Sequence, residues 1–250
     1  GAAARGSARL GVTDGTKKEF AAAVEALLAE AVKNAPDDQG KDVLKALVAA
    51  VGPTLKAGEV DLAGALHGPD AKGHYAVLGA LAVTDGKGIE KFVKTTAADF
   101  GALIADAVEF KFDVQKVGPF ALHQVVLKRT DDKFEKVFGA KPSVWLAVSD
   151  ACVALSIEPD GALIKTGLKA KAVSVPALSG EVAAAKVVPL LQPDIKPDEL
   201  KALLKDAFGD GSPAGKDTVT LSVAGGDKLT IALKAKGKAV RAGTGLGQLR

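Results

Sequence analysis

The chain has 250 residues, 48% of them hydrophobic and 4% aromatic, with a formal net charge of +3 and a pI near 8.8. That length fits one large domain or two small ones, with a core built from Ala, Val, Leu and Ile. A single cysteine, Cys152, excludes an internal disulfide and a Cys-based zinc site, and interspersed charges with one Tyr and one Trp lack the basic stripe and stacking aromatics of a nucleic-acid binder.

From Thr16 to about Asn34, Phe20, Val24, Leu27, Leu28, Ala31 and Val32 fall on one helical face. "NAPDDQGK" breaks that helix, and "DVLKALVAAVG" reads as a second one ended by Gly52-Pro53. "EVDLAGALHG" and "HYAVLGALAV" alternate apolar and polar residues around "PDAKG", which predicts a β-hairpin. "GIEKFVKTTAADFGALIADAV" returns to helical spacing. "EFKFDVQKV" and "FALHQVVLKR" form a second hairpin turned at Gly118-Pro119, and "DDKFEKVFG" is a short helix. "SVWLAVSD" and "ACVALSIEP" form a third hairpin with Ser149-Asp150 at its turn. Helices are expected over "GALIKTGLKA", "GEVAAAKVVPLLQ" and "PDELKALLKDAFG", and "DTVTLSVAGGDKLTIALKAKG" closes the series as a fourth hairpin.

Helices therefore separate hairpins rather than single strands. This order predicts an α+β fold of about eight antiparallel strands in a curved sheet covered by helices. No apolar run is long enough for a membrane-spanning helix.

An internal repeat is the most specific feature. "DVLKALVAAVG" at 42–52 matches "DELKALLKDAFG" at 198–209, each following an Ala-rich helix and each preceding a hairpin. Residues 1–130 are expected to form a first repeat unit, and residues 131–240 a second one packed with it. Residues 241–250 are expected to be a flexible tail. The chain has no Met, and both ends read as cut from a longer array.

Asp-Gly recurs at 14–15, 85–86 and 160–161. An Asp at a strand-to-helix corner accepts N–H bonds from the first helical turn, and the Gly permits a tight turn. Asp14, Asp85 and Asp160 are accordingly read as structural caps, because no His or Glu repeats beside them as a catalytic partner would. Of the paired carboxylates, Asp37-Asp38 is placed in a loop and Asp131-Asp132 at a helix start.

Chemistry-bearing residues are sparse. His67 and His74 flank the turn "HGPDAKGH" with Asp70 nearby, the weak candidates for a metal site, although a third ligand is not evident. His123 sits inside a strand and reads as a hydrogen-bonded structural histidine. Cys152, in "ACVALSI", reads as a small buried hydrophobe. "GDGSPAGKDT" imitates a phosphate-binding loop but has the wrong spacing. Asp217 also stands where Ser or Thr is needed, and a strand follows instead of a helix. No catalytic residue and no cofactor are assigned.

The runs "FGAKPSVWLAVSDACVALSIEPDGALIKTGLKA", "VGPFALHQVVLK" and "PTLKAGEVDLAGALHGP" resemble uncharacterised secreted or envelope proteins of planctomycete-type bacteria, over most of residues 12–240. The resemblance implies repeated α+β units and an extracytoplasmic location; it carries over no activity and no catalytic residues. The expected function is a non-catalytic structural or interaction module of a larger chain or assembly, with a protein partner or self-association. The alternative is a carrier of a lipid-like apolar molecule in a cavity between sheet and helices. A third reading is a hydrolase using His67, His74 or His123.

Overall fold

A computed structural model of the chain describes residues 1–35, 37–171, 175–191, 197–209, 215–225 and 228–240. It is an α+β protein. Strand β1 (Ala2–Gly11) leads to helices α1 (Lys17–Lys33) and α2 (Asp38–Lys56), then to β2 (Glu59–His67) and β3 (Ala76–Ala82). Helix α3 (Gly86–Phe100) precedes β4 (Val108–Val117), β5 (Phe120–Leu127), α4 (Asp132–Phe138), β6 (Ser143–Ser149), β7 (Cys152–Glu158) and α5 (Ala162–Gly167). Then come β8 (Leu178–Ala183), α6 (Ala184–Leu191), α7 (Pro197–Phe208), β9 (Thr218–Ala224) and β10 (Thr230–Ala235).

These strands hydrogen-bond in the order β10-β9-β8-β1-β2-β3-β7-β6-β5-β4, an antiparallel sheet that does not close. The first six places read as a palindrome. β1-α1-α2-β2-β3 and β8-α6-α7-β9-β10 are the same sequence of elements, and β1 pairs antiparallel with β8 from Ala4↔Val182 to Ala8↔Leu178. The repeated helix-helix-hairpin stretch thus carries a leading strand in each copy.

Three expectations about elements need correction. "GEVA" belongs to β8, not to a helix: its alanines have high helix propensity, but its backbone is taken up by ladders to β1 and β9. With β8 and the leading strand β1 added to the four hairpins, the described strands number ten, not about eight. α2 does not stop at Gly52-Pro53 but runs on to Lys56, where Ala57 N–H reaches the Pro53 carbonyl. The Asp37-Asp38 pair is not a plain loop: Asp37 is the N-cap of α2 and accepts from Gly40 N at 2.6 Å. The expected tail at 241–250 and residues 210–214 of the "GDGSPAGKDT" loop lie outside the described residues.

The chain falls into two compact units, neither of them continuous in sequence. One comprises Gly1–Ala8, Ala63–Val77 and Val173–Arg250; the other comprises Arg9–Leu62 and Leu78–Ala172, so Thr130 and Asp131 both belong to the latter.

The core of the second unit is Leu122, Trp145, Ala147, Ala154 and Ile164, with Leu78, Ala80, Phe120 and Leu168 packed against it. Alternation builds it. Leu122, Ala147 and Ala154 stand opposite one another across β5, β6 and β7, so their side chains share a face. Ile164 brings α5 onto that face. Gly161, at φ +72°, turns the chain under the indole, and a Cβ there would sit 2.9 Å from Trp145. Gly161→Ala is expected to cost about 2 kcal/mol, from left-handed strain plus the clash, measured by urea denaturation.

In the first unit, α6 packs against α7 through Ala184, Ala185, Leu204, Ala207 and Phe208. Tyr75, 5% exposed, donates its hydroxyl to the Lys186 carbonyl at 2.5 Å.

Candidate functional site

The three Asp-Gly corners do three different jobs. Asp85 is the N-cap of α3 and accepts from Gly88 N at 2.8 Å. Asp160 accepts from Ala162 N at 3.0 Å, while the next two N–H groups of α5, on Leu163 and Ile164, go to the buried carboxylate of Glu158. Asp14 does not cap α1. Its carboxylate is 97% exposed and pairs with Lys17 at 3.3 Å, and the N-cap is Thr16, whose side chain makes no cap bond. β1 ends three residues before Asp14, so the carboxylate lies too early to reach the first helical turn.

Asp70 accepts N–H bonds from Lys72 at 2.7 Å and His74 at 2.9 Å, which hold its carboxyl below the usual range. His74 Nδ1 lies 3.8 Å from the same carboxylate. His67 and His74 gather no third ligand among the described residues. Asp70 Oδ1 is taken up in ordering the turn instead. Cys152 is half-buried, its thiol is pushed up by burial, and its backbone N–H donates to Ser149 Oγ at 3.1 Å. Asp217, 2% exposed, accepts from Ala185 N at 3.1 Å and so caps α6 from the start of β9.

The densest polar group lies around His123, 1% exposed in the middle of β5. The β4–β5 ladder shifts between Lys111 and Gln115, and the bulge sets Asp113 at φ +53°. That backbone directs Asp113 N–H to His123 Nδ1 at 3.0 Å. The Phe112 ring meets the imidazole edge-on, with centroids 5.6 Å apart. From α3, Glu90 Oε1 comes within 3.4 Å of His123 Nε2 without the alignment of a hydrogen bond. Lys94, one turn on, bridges Glu90 at 2.7 Å and Asp113 at 2.8 Å.

Glu90, Asp113 and His123 are also the one group among the described residues with metal-ligand spacing. Two features oppose a metal there. The Lys94 ammonium already stands between the two carboxylates. Because Nδ1 accepts the Asp113 N–H, a neutral imidazole carries its proton on Nε2, the atom that faces Glu90 and would have to coordinate. The arrangement is instead self-compensated. Hydrogen bonds to Asp113 and Glu90 raise Lys94, the Lys94 bond lowers Asp113, and burial pushes His123 below its ordinary value. It fastens α3 to the β4–β5 hairpin. Beside it, a pocket of about 350 Å³ is lined by Glu90, Asp113, Lys87, Gln115, Lys116 and Ser149, among others.

The pH dependence follows from these directions. The unfolded imidazole takes a proton as pH falls through about 6.5, whereas the buried one resists. The unfolded state then binds more protons, so folding stability falls on the acid side of that value. Asp113, lowered from 3.8, adds a second loss below it. The urea midpoint is expected to drop between pH 7 and pH 5, and His123→Leu, although less stable throughout, is expected to flatten that limb.

No family model, no curated protein and no solved structure matches the chain.

Proposed function

We propose that this chain is a non-catalytic interaction module, part of a larger extracytoplasmic chain or assembly. One observation carries the reading. Within the first unit, the registers Leu178↔Val223↔Ile231 and Gly180↔Leu221↔Leu233 put these residues on one face of β8, β9 and β10. On that face Leu178 is 38%, Leu221 38%, Ile231 64% and Leu233 71% exposed. A sheet face left to water normally carries polar residues, and a contiguous apolar one marks a place of association. The His123 group supports the non-catalytic part, since its ions answer one another. The extracytoplasmic part rests on the resemblance described above.

A lipid-carrier reading is favoured by one observation in the second unit: a cleft of about 460 Å³ between α1 and α2, lined by Leu28, Ala29, Val32, Val48 and Ala49.

The test is native followed by denaturing mass spectrometry on the chain purified from its natural source. A protein complex that Ile231→Asp with Leu233→Asp dissolves is the expected result. A bare monomer overturns the module, and a monomer carrying a lipid-sized mass released on denaturation establishes the carrier. Protease treatment of intact source cells checks location. His67→Ala, His74→Ala and His123→Asn, each unchanged in every hydrolase assay, would together remove the third reading.

A further inference from the structure

We infer that β10 receives an added strand from another polypeptide, an extended acidic segment with apolar residues at alternate positions. This rests on the interaction-module reading and names the partner's chemistry.

β10 is the terminal strand of the sheet, so one side of its backbone has no ladder partner among the described residues. The stretch "KLTIALKAK" at 228–236 is amphipathic at strand period. Ile231 and Leu233 share one face, with Leu229, 70% exposed, ahead of them at the same alternation. Lys234 lies on the opposite face of β10, Lys228 and Lys236 lie just beyond its two ends at the same sequence alternation, and all three are exposed. The stretch contains no acid, and none of the three lysines forms an ion pair with a described residue.

The lysines decide between a second copy and a foreign strand. Antiparallel self-pairing about Ala232 would keep both apolar rows on one face but would set Lys228 opposite Lys236. Self-pairing about Ile231 would set Lys228 opposite Lys234. Like charges directly opposite destabilise a ladder. A strand with Asp or Glu on one face and Val, Ile or Leu on the other meets both rows favourably. The opposite edge of the sheet offers no equivalent. β4 is bulged at Asp113 and carries Glu109, Lys111 and Lys116 of mixed sign.

The test uses the full chain and two labelled peptides, one of alternating Glu and Val, the other of alternating Lys and Val. Fluorescence anisotropy is expected to show the Glu peptide binding at least about tenfold tighter, with the preference shrinking in high salt. Amide exchange at Thr230–Ala235 is expected to slow when it binds. Combined Lys228→Glu, Lys234→Glu and Lys236→Glu is expected to reverse the preference, with the urea midpoint unchanged because all three sites are exposed. Equal binding of the two peptides, absence of binding, unaltered exchange at β10, or a homodimer cross-linked through β10 each overturns the inference. If the acidic peptide fails while Ile231→Asp with Leu233→Asp still dissolves the natural complex, the edge-strand inference falls and the module stands. If the natural complex is also absent, both fall.

Discussion

Gly86→Ala should be among the most damaging single-methyl additions in this chain. An ideal Cβ at Gly86 would lie 1.8 Å from the Ser149 carbonyl oxygen and 2.9 Å from its carbon. Both are backbone atoms of the β6–β7 turn, so no side chain can swing away. The same approach lets Gly86 N–H donate to the Asp150 carbonyl at 3.0 Å, while Val83 N–H donates to Ala151. Relief would require α3 to withdraw from the turn, which would draw Glu90 and Lys94 away from His123. A loss of about 4 kcal/mol is expected by urea denaturation. Gly15→Ala is the control. That glycine follows the equivalent Asp, has no atom within 4 Å of the added Cβ, and should change stability by less than about 0.5 kcal/mol. If the two alanines behave alike, the close approach of α3 to the turn is not what the glycine provides.

The contrast also shows how far the sequence could be read. Asp85 was legible as a cap because its partner, Gly88, is three residues away. The hairpins were legible because alternation is local, and so was α1, expected from Thr16 to about Asn34 and observed at Lys17–Lys33. The interactions that matter most are between residues distant in the chain. Asp217 caps a helix that begins more than thirty residues earlier, and nothing in "GKDT" points there. His123 meets Glu90 and Lys94 from α3 and Asp113 from a bulge, a grouping that no spacing announces. The bulge itself had no local signal, since "EFKFDVQKV" keeps its apolar alternation through Asp113 and Val114 and breaks it only at Lys116. β8 was hidden because Ala-rich sequence favours helix in isolation, and only pairing with β1 and β9 overrides that preference. The apolar residues of β10 were plain in the sequence. That they stand uncovered is seen only in the fold, where the face they share with Leu178 and Leu221 is left exposed.

Glu158→Ala should be as costly as Gly86→Ala, for a different reason. Glu158 ends β7 with its side chain 3% exposed. Oε1 accepts from Ser156 Oγ at 2.8 Å and from Ile164 N at 2.8 Å, and Oε2 accepts from Leu163 N at 2.7 Å. It therefore satisfies two first-turn N–H groups of α5, the helix that delivers Ile164 to the core. Net contributions of hydrogen bonds to a charged group are about 1.5–3 kcal/mol each and do not simply add. Removing the carboxylate also strands buried N–H donors. Glu158→Ala is expected to lose about 4 kcal/mol, with faster amide exchange at Leu163 and Ile164. Glu158→Gln separates shape from acceptor capacity. It fills the same space, keeps one oxygen, and turns an NH₂ toward a donor, so it should lose about 2 kcal/mol. Equal losses in the two variants would mean that packing around the side chain, not its two acceptor oxygens, holds α5 against the sheet.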